Sequence, residues 1–394
     1  MTRKVLIVGS GLAGLTTAHL LRSDPEQRYD VTLFEAASSP SLSGASLKFS
    51  GTHVDIPMRS FNAGYYPRLT ALYRYLRLPS QPQNFRFRFS SSGFTHISNF
   101  TSLPHDRSWW LMICLAAVYA HFTLCCFLFP PRAHESLQEW LRRIRLSRWF
   151  VEEYLLPLLS AVATCPHEKL LRFPAEDIAG YKRLSHGKPH LVLSDGVCAA
   201  EALLLDGVHV ETNRRVVAVE EGGRVRWVQD GEKTTRSERW DIIVLAVAPD
   251  VVGSVFPRLR EAMKKIPTQW VEVVTHQDSP ASREEEDTIV LRTAEGKTEA
   301  AHHTHGLVVT TSPLDSKEGV IARAGFTRVL RSVESRSVVR GLFAARDEKS
   351  KEWSNGDGGV FVVGGWCWDG MVLLEGCVRS AEAVAGSLGV SVRW

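Results

Sequence analysis

Residues 4–14 read KVLIVGSGLAG, and the stretch from Lys4 to Glu35 decides the fold. Lys4 to Val8 is a short, β-branched, apolar run, as expected of a parallel strand buried on both faces. Gly9-Ser10-Gly11-Leu12-Ala13-Gly14 follows, then a helical pattern from Leu15 to Leu21 that ends near Pro25. Tyr29 to Phe34 reads as a second strand and ends in Glu35. The glycines therefore sit in the β-α-β context that gives their spacing meaning. Gly9 permits a tight turn, Gly11 lets backbone approach a pyrophosphate, and Gly14 lets helix and strand pack closely. The first-turn amides, Leu12 and Ala13 among them, face that phosphate with the positive end of the helix dipole. Glu35, 21 residues beyond Gly14, is placed to accept from ribose hydroxyls and to repel a 2′-phosphate. The expected ligand is FAD or NAD rather than NADP.

Outward from this unit, residues 36–60 are loop-rich, and Tyr65 to Leu78 carries helical spacing. Apolar and polar residues alternate from Phe85 to Ile97, which predicts strands or a hairpin within 81–100. Ser136 to Leu159 is mostly helical, residues 189–230 read as short strands, and Asp241 to Val247 is another core strand. The polar stretch 278–300 reads as a solvated loop or hairpin, and Phe361 to Val363 and Leu373 to Ala385 as a last strand and helix. The expected organisation is a discontinuous nucleotide-binding domain from 1–80, 190–255 and 355–394. The substrate or cap domain would come from 81–189 and 256–354.

The C-terminal segment VFVVGGWCWDGMVLLEGCVRSAEAVA (360–385), taken with the N-terminal unit, resembles the closing segment of the flavin amine oxidase and phytoene desaturase superfamily. Val54–Pro67, Phe150–Pro166 and Gly370–Ser380 are similar to predicted FAD-binding, amine-oxidase-like proteins. The resemblance implies an α/β fold: an FAD-binding, glutathione-reductase-like Rossmann domain with an inserted mixed α+β substrate domain. It places Gly364 and Gly365 by the ribityl-phosphate, the Leu374 amide near flavin O2, and Val216 against the adenine. FAD is thus preferred over NAD, held non-covalently. Two departures stand out. Ser43-Gly44-Ala45 occupies the place of the family's Gly-Gly-Arg, and Gly364-Gly365 lacks the acid that usually ends the late strand. Arg59 and another acid are candidates to substitute.

No nucleophile elbow or metal box is present, which suits cofactor-driven chemistry. Trp366, Trp368 and Asp369 are the catalytic candidates. The two indoles read either as an aromatic wall over the flavin or as core, and Asp369 as an acid/base group. Glu375 is expected to serve the first turn of its own helix, His186 to lie in a loop, and Cys367 and Cys377 to be buried thiols. The leading function is oxidation, desaturation or double-bond isomerisation of an apolar polyene, terpenoid or acyl-type molecule, of the kind met in secondary metabolism. A flavin amine oxidase and a non-redox isomerase, cyclase or binding scaffold are the alternatives.

A net charge of +4 without a basic block gives no nucleic-acid footprint. Seven scattered cysteines without a CxxC pair suit a reducing, cytoplasmic compartment. His302-His303-Thr304-His305 reads as a surface or strand-edge cluster, and no metal is expected. Trp109 to Phe129 is 21 residues without a formal charge, closed by Pro130-Pro131. Three readings stay open for it: a buried or tunnel-forming helix, a surface that dips into lipid, and a membrane span.

Overall fold

The computed structural model describes residues 2–90, 94–97, 109–277, 284–343 and 353–394. Arg3–Val8 is the central strand of a five-stranded parallel sheet. Tyr29–Phe34 and then His209–Glu211 lie on one side of it, and Ile242–Leu245 and then Val360–Val362 on the other. Val5, Leu6 and Ile7 are fully buried, as two covered faces require. The helix Leu12–Arg22 packs on this sheet, against Gly196–Leu205 and the closing helix Leu374–Ser387. The sequence reading passed over Gly196–Leu205, where only strands were expected. Its GVCAAEALLL pattern is helical, and its first turn is held by Asp55, whose carboxylate accepts from the Val197 amide at 3.1 Å.

An antiparallel meander, Arg214–Val219, Arg224–Gln229 and Thr235–Arg239, meets the end of Tyr29–Phe34, where the Arg214 amide donates to the Glu35 carbonyl. A second, seven-stranded sheet runs in the order Val320–Val329, Thr268–Gln277, Leu307–Thr311, Lys297–Thr304, Thr288–Ala294, Arg86–Phe89, Phe94–Ile97. The hairpin expected from the alternation at 85–97 is present, its strands pairing antiparallel. The end of that expected stretch, 98–100, lies outside the described residues, as do 278–283 of the expected loop or hairpin at 278–300. From Thr288 onward the latter is a hairpin whose strands run from Thr288 to Ala294 and from Lys297 to Thr304.

Lys297–Thr304 is an interior strand, paired on both sides, which corrects the placing of the histidine cluster at a surface or edge. His303 is buried, and only His305, in the turn that follows, is exposed. The reason is pairing across the sheet, which a histidine-rich string does not advertise.

Trp109–Leu128 is one helix. Leu115, Phe122, Cys125 and Cys126 face the main core, and the helix packs on Ala175–Ser185. The Lys182 ammonium donates to the Tyr119 hydroxyl, and Arg183 to the Cys126 carbonyl. Only 22% of its apolar window is buried, so a core helix is not what this segment forms. Trp110, Ile113, Leu124, Phe127 and Leu128 are exposed.

Candidate functional site

The glycine turn has the geometry its three positions need. Gly9 adopts φ +102°, a left-handed conformation that favours glycine. A Cβ on Gly14 would lie 2.0 Å from the Gly9 carbonyl oxygen and 3.0 Å from the Ala246 Cβ. Gly11, the N-cap of Leu12–Arg22, has ordinary φ/ψ and nothing within 4 Å of an added Cβ. Open space thus lies beside Gly11, at the start of the helix and the positive end of its dipole.

Glu35 is buried at the tip of the second strand. Its Oε2 accepts from the Ser10 amide (3.0 Å) and the Ser10 hydroxyl, and its Oε1 from the Ala37 amide (2.9 Å). Three of about four acceptor positions are filled, leaving one on Oε1 for a hydroxyl donor. The Arg214 amide donates to the Glu35 carbonyl and so ties the meander to this tip. Val216, buried two residues on, packs with Phe34 and Trp227. In Ser43-Gly44-Ala45, where the resemblance expects Gly-Gly-Arg, Ser43 donates its amide (2.9 Å) and hydroxyl (2.6 Å) to Glu201. That departure serves loop anchoring.

At the other end of the chain, Val360–Val362 runs into Gly364-Gly365. Gly364 exchanges bonds with the Ser380 hydroxyl, and Gly365 lies against the Leu373 carbonyl and the Cys377 sulfur. Cys377 Sγ also faces the Ala13 and Gly365 amides, and burial pushes its thiol up to about 11. Gly365, Leu374 and Cys377 border a cavity of about 360 Å³ between the closing helix and the seven-stranded sheet. Phe61, Phe85, Phe87, Val162, Ile289, Val309, Phe326 and Val372 make its wall mostly apolar. Tyr66, Tyr181, His190, His302, Arg59 and Arg328 are among the polar residues that border it. Burial keeps the Tyr181 phenol protonated, pushed up to about 12, and depresses the basicity of His190. No described side chain of Trp109–Leu128 lines the cavity, so it forms no wall of this tunnel.

The two indoles part company. Trp366 lines the cavity, its Nε1 donating to the Val247 carbonyl at 3.3 Å. Trp368 turns away: its Nε1 donates to the Met371 carbonyl, and its ring packs edge-on to Tyr65 and under Arg379. A Cβ on Gly376 would lie 2.2 Å from that ring, so the glycine exists to admit the indole. Asp369 does not border the cavity either. Burial works against its charge, but bonds to Arg336 and Arg340 outweigh it and hold the carboxyl below the usual range. Asp369 is therefore an ion-pair member, which corrects its reading as an acid/base group facing substrate.

Glu375, fully buried, accepts from the Arg68 and Leu69 amides at 3.1 Å and from Arg379 at 2.7 Å. It caps Pro67–Tyr75 as well as sitting in its own first turn, an extension of the expected role. His186 is exposed at the end of Ala175–Ser185, edge-on to Phe127. Arg331, which sequence reasoning missed, is buried and donates to the carbonyls of Trp366, Trp368 and Gly370 at 3.0, 2.8 and 3.2 Å. It fixes the loop that carries Trp366. Arg328 was missed too, because an arginine near the end of an alternating strand reads as solvated.

Arg59 lines the cavity, with its Nε buried and without a hydrogen-bond partner among the described residues. Its charge is felt by Cys377, which places it on the same side as the helix amides.

Residues 7–76 match the family described as an NAD(P)-binding Rossmann-like domain. No curated protein matches the chain at significant similarity. Among solved structures, it is similar to a putative protoporphyrinogen oxidase from Exiguobacterium sp. 255-15. That pair is 17% identical, with 98% of this chain and 99% of that one covered at a TM-score of 0.67. A CLA-producing fatty acid isomerase from P. acnes is 14% identical, with 98% of each chain covered and a TM-score of 0.68. An oxidoreductase from Methanosarcina mazei is 12% identical, with 97% and 100% covered and a TM-score of 0.64. At these identities the likeness is one of fold, and it spans nearly all of the chain.

Proposed function

We propose that this protein is an FAD-dependent oxidoreductase acting on an apolar small molecule by oxidation, desaturation or double-bond isomerisation. The observation that carries the reading is the largely apolar cavity of about 360 Å³ bordered by Gly365 and Leu374. Cys377, which borders it, faces the Ala13 amide of a β-α-β unit whose open Gly11 turn and Glu35 suit a dinucleotide without a 2′-phosphate. A dinucleotide at the Gly11 turn whose far end reaches this cavity is better matched by FAD than by NAD. The FAD-binding part would comprise 1–80, 190–255 and 355–394, with 81–189 and 256–354 roofing the substrate.

FAD, when bound, would supply the redox chemistry. Leu12 and Ala13 would bind pyrophosphate through their amides, Glu35 the ribose, and Val216 the adenine. Gly364 and Gly365 would admit the ribityl chain, and the Leu374 amide would stabilise negative charge at the flavin pyrimidine edge. Trp366 and the phenylalanines would exclude water and orient the substrate. The raised Cys377 thiol is a poor nucleophile at neutral pH, which supports non-covalent binding. A small protonated amine suits this cavity less well, since Arg59 and Arg328 already make it electropositive.

The test is the visible spectrum of the purified protein before and after acid precipitation. Two flavin bands that stay in the supernatant are expected, followed by anaerobic bleaching with an apolar substrate and not with amines. A protein that stays colourless after reconstitution with FAD would sink the proposal.

A further inference from the structure

We infer that Arg59 and Arg328 form an anion subsite in this cavity, which takes the carboxylate of an amphipathic acid whose hydrocarbon body lies along the phenylalanine wall. The inference rests on the flavoenzyme reading and names its substrate class. Both arginines line one mostly apolar cavity, and the charges of both are felt by Cys377 on its border. Arg59 has no hydrogen bond or ion pair among the described residues, and its Nε is buried and unmatched. Such a donor costs about 1–3 kcal/mol unless something accepts from it. Arg328 is aimed differently: its Nε donates to the Ala163 carbonyl at 3.0 Å and one Nη reaches the Val162 carbonyl at 3.5 Å. Those carbonyls end the helix Leu156–Ala163 and fix the plane of the guanidinium, leaving the other Nη without a hydrogen bond among the described residues.

Charge counting points the same way. The carboxylate that bears on Arg59 is Asp55, and its oxygens are taken by the Val197 amide and the Ser46 hydroxyl. Arg59 in turn bears on Arg328, like charge on like charge. Arginine does not escape burial by losing its proton. One carboxylate would restore neutrality, and two guanidinium groups suit its two oxygens. An anion could come from the substrate or from the cofactor's phosphates. The substrate is favoured, because Phe85, Phe87, Ile289 and Phe326 extend the same cavity as a wall for a chain without polar groups.

The test uses FAD-loaded protein titrated with decanoate and with methyl decanoate, following the flavin difference spectrum. Decanoate should bind at least tenfold more tightly than the ester. Arg328→Gln should erase that preference while FAD content and ester binding stay unchanged, and Arg328→Lys should restore part of it. Equal binding of acid and ester by the unaltered protein would overturn the inference. So would loss of FAD, rather than of acid binding, in both Arg328→Gln and Arg59→Gln, since the cations would then serve the cofactor. Calorimetry of decanoate with cofactor-free protein separates the two proposals. Tight acid binding by a chain that takes no FAD would leave the subsite standing and the flavin reading fallen.

Discussion

An alanine at Gly14 would push its methyl group to 2.0 Å from the Gly9 carbonyl, against backbone that cannot yield. An alanine at Gly11 would meet nothing, and the backbone there (φ −68°, ψ 170°) accepts any residue. Gly14→Ala is therefore expected to lower stability by about 1–3 kcal/mol or more through overpacking, read as a fall in Tm. Gly11→Ala should leave the cofactor-free Tm almost unchanged while weakening FAD binding about tenfold or more. Equal effects of the two substitutions on the cofactor-free Tm would refute this division of labour. Asp177 offers a second test at this scale. Burial pushes its carboxyl up to about 6, against the pull of Arg331 and of Arg336, whose Nη1 lies 3.6 Å from Oδ1, and neither oxygen accepts a hydrogen bond among the described residues. A folded value above the unfolded one disfavours the ionised form in the native state. The stability held by the protonated acid is fully present below the unfolded value and is lost as pH rises through about 6. The difference amounts to roughly 3 kcal/mol. Asp177→Asn should flatten the profile of Tm against pH between 4 and 7, and an unchanged slope would count against this account.

At the scale of elements, the helix Trp109–Leu128 has no stripe of polar residues, and its mean hydropathy is 2.2 over the window from Trp110 to Leu128. Its exposed face joins Trp110, Ile113, Leu124, Phe127 and Leu128, the last two-thirds exposed. Contiguous apolar surface of this kind marks an interaction site. Arg132, Arg142 and Arg145, which follow in the chain, are exposed and would add attraction to an anionic lipid surface if this face met one. The protein is expected to float with vesicles of phosphatidylcholine and phosphatidylserine. A Leu124→Glu/Leu128→Glu variant should remain in solution at the same Tm, and a variant that floats as well would exclude this face as the lipid contact. The same helix shows where sequence reading stops. The opening strand, helix and second strand were legible because about thirty adjacent residues hold the whole signal. In Trp109–Leu128 only Tyr119, His121 and Thr123 interrupt an apolar run, so nothing local says which face Ala175–Ser185 covers. Arg328 acquires its meaning only from Ala163 and Arg59, and Glu375 from amides at Arg68 and Leu69. These partnerships form across the fold, and no spacing along the chain announces them. Trp366 and Trp368, two residues apart on one loop, point to different surroundings for the same reason.

At the scale of the molecule, the five-stranded sheet is assembled from 3–8, 29–34, 209–211, 242–245 and 360–362, and the closing helix packs on the first one. The cavity then draws its wall from Pro57 to Cys377. A dinucleotide seated from the Gly11 turn to Leu374 would bridge both ends of the chain, so binding must stabilise the whole fold rather than one lobe. At a free concentration one hundred times its Kd, a ligand that binds only the native state adds about 2.7 kcal/mol. For a chain of 394 residues this corresponds to a rise in Tm of about 3 °C. FAD should give that rise as a single cooperative shift. NADP+ should give none, because its 2′-phosphate would meet the buried Glu35 carboxylate. NAD+ would engage the Gly11 turn but fill the cavity less fully, and is expected to fall between them. An NAD+ shift equal to that of FAD would assign the cavity entirely to substrate and remove the flavin from the mechanism.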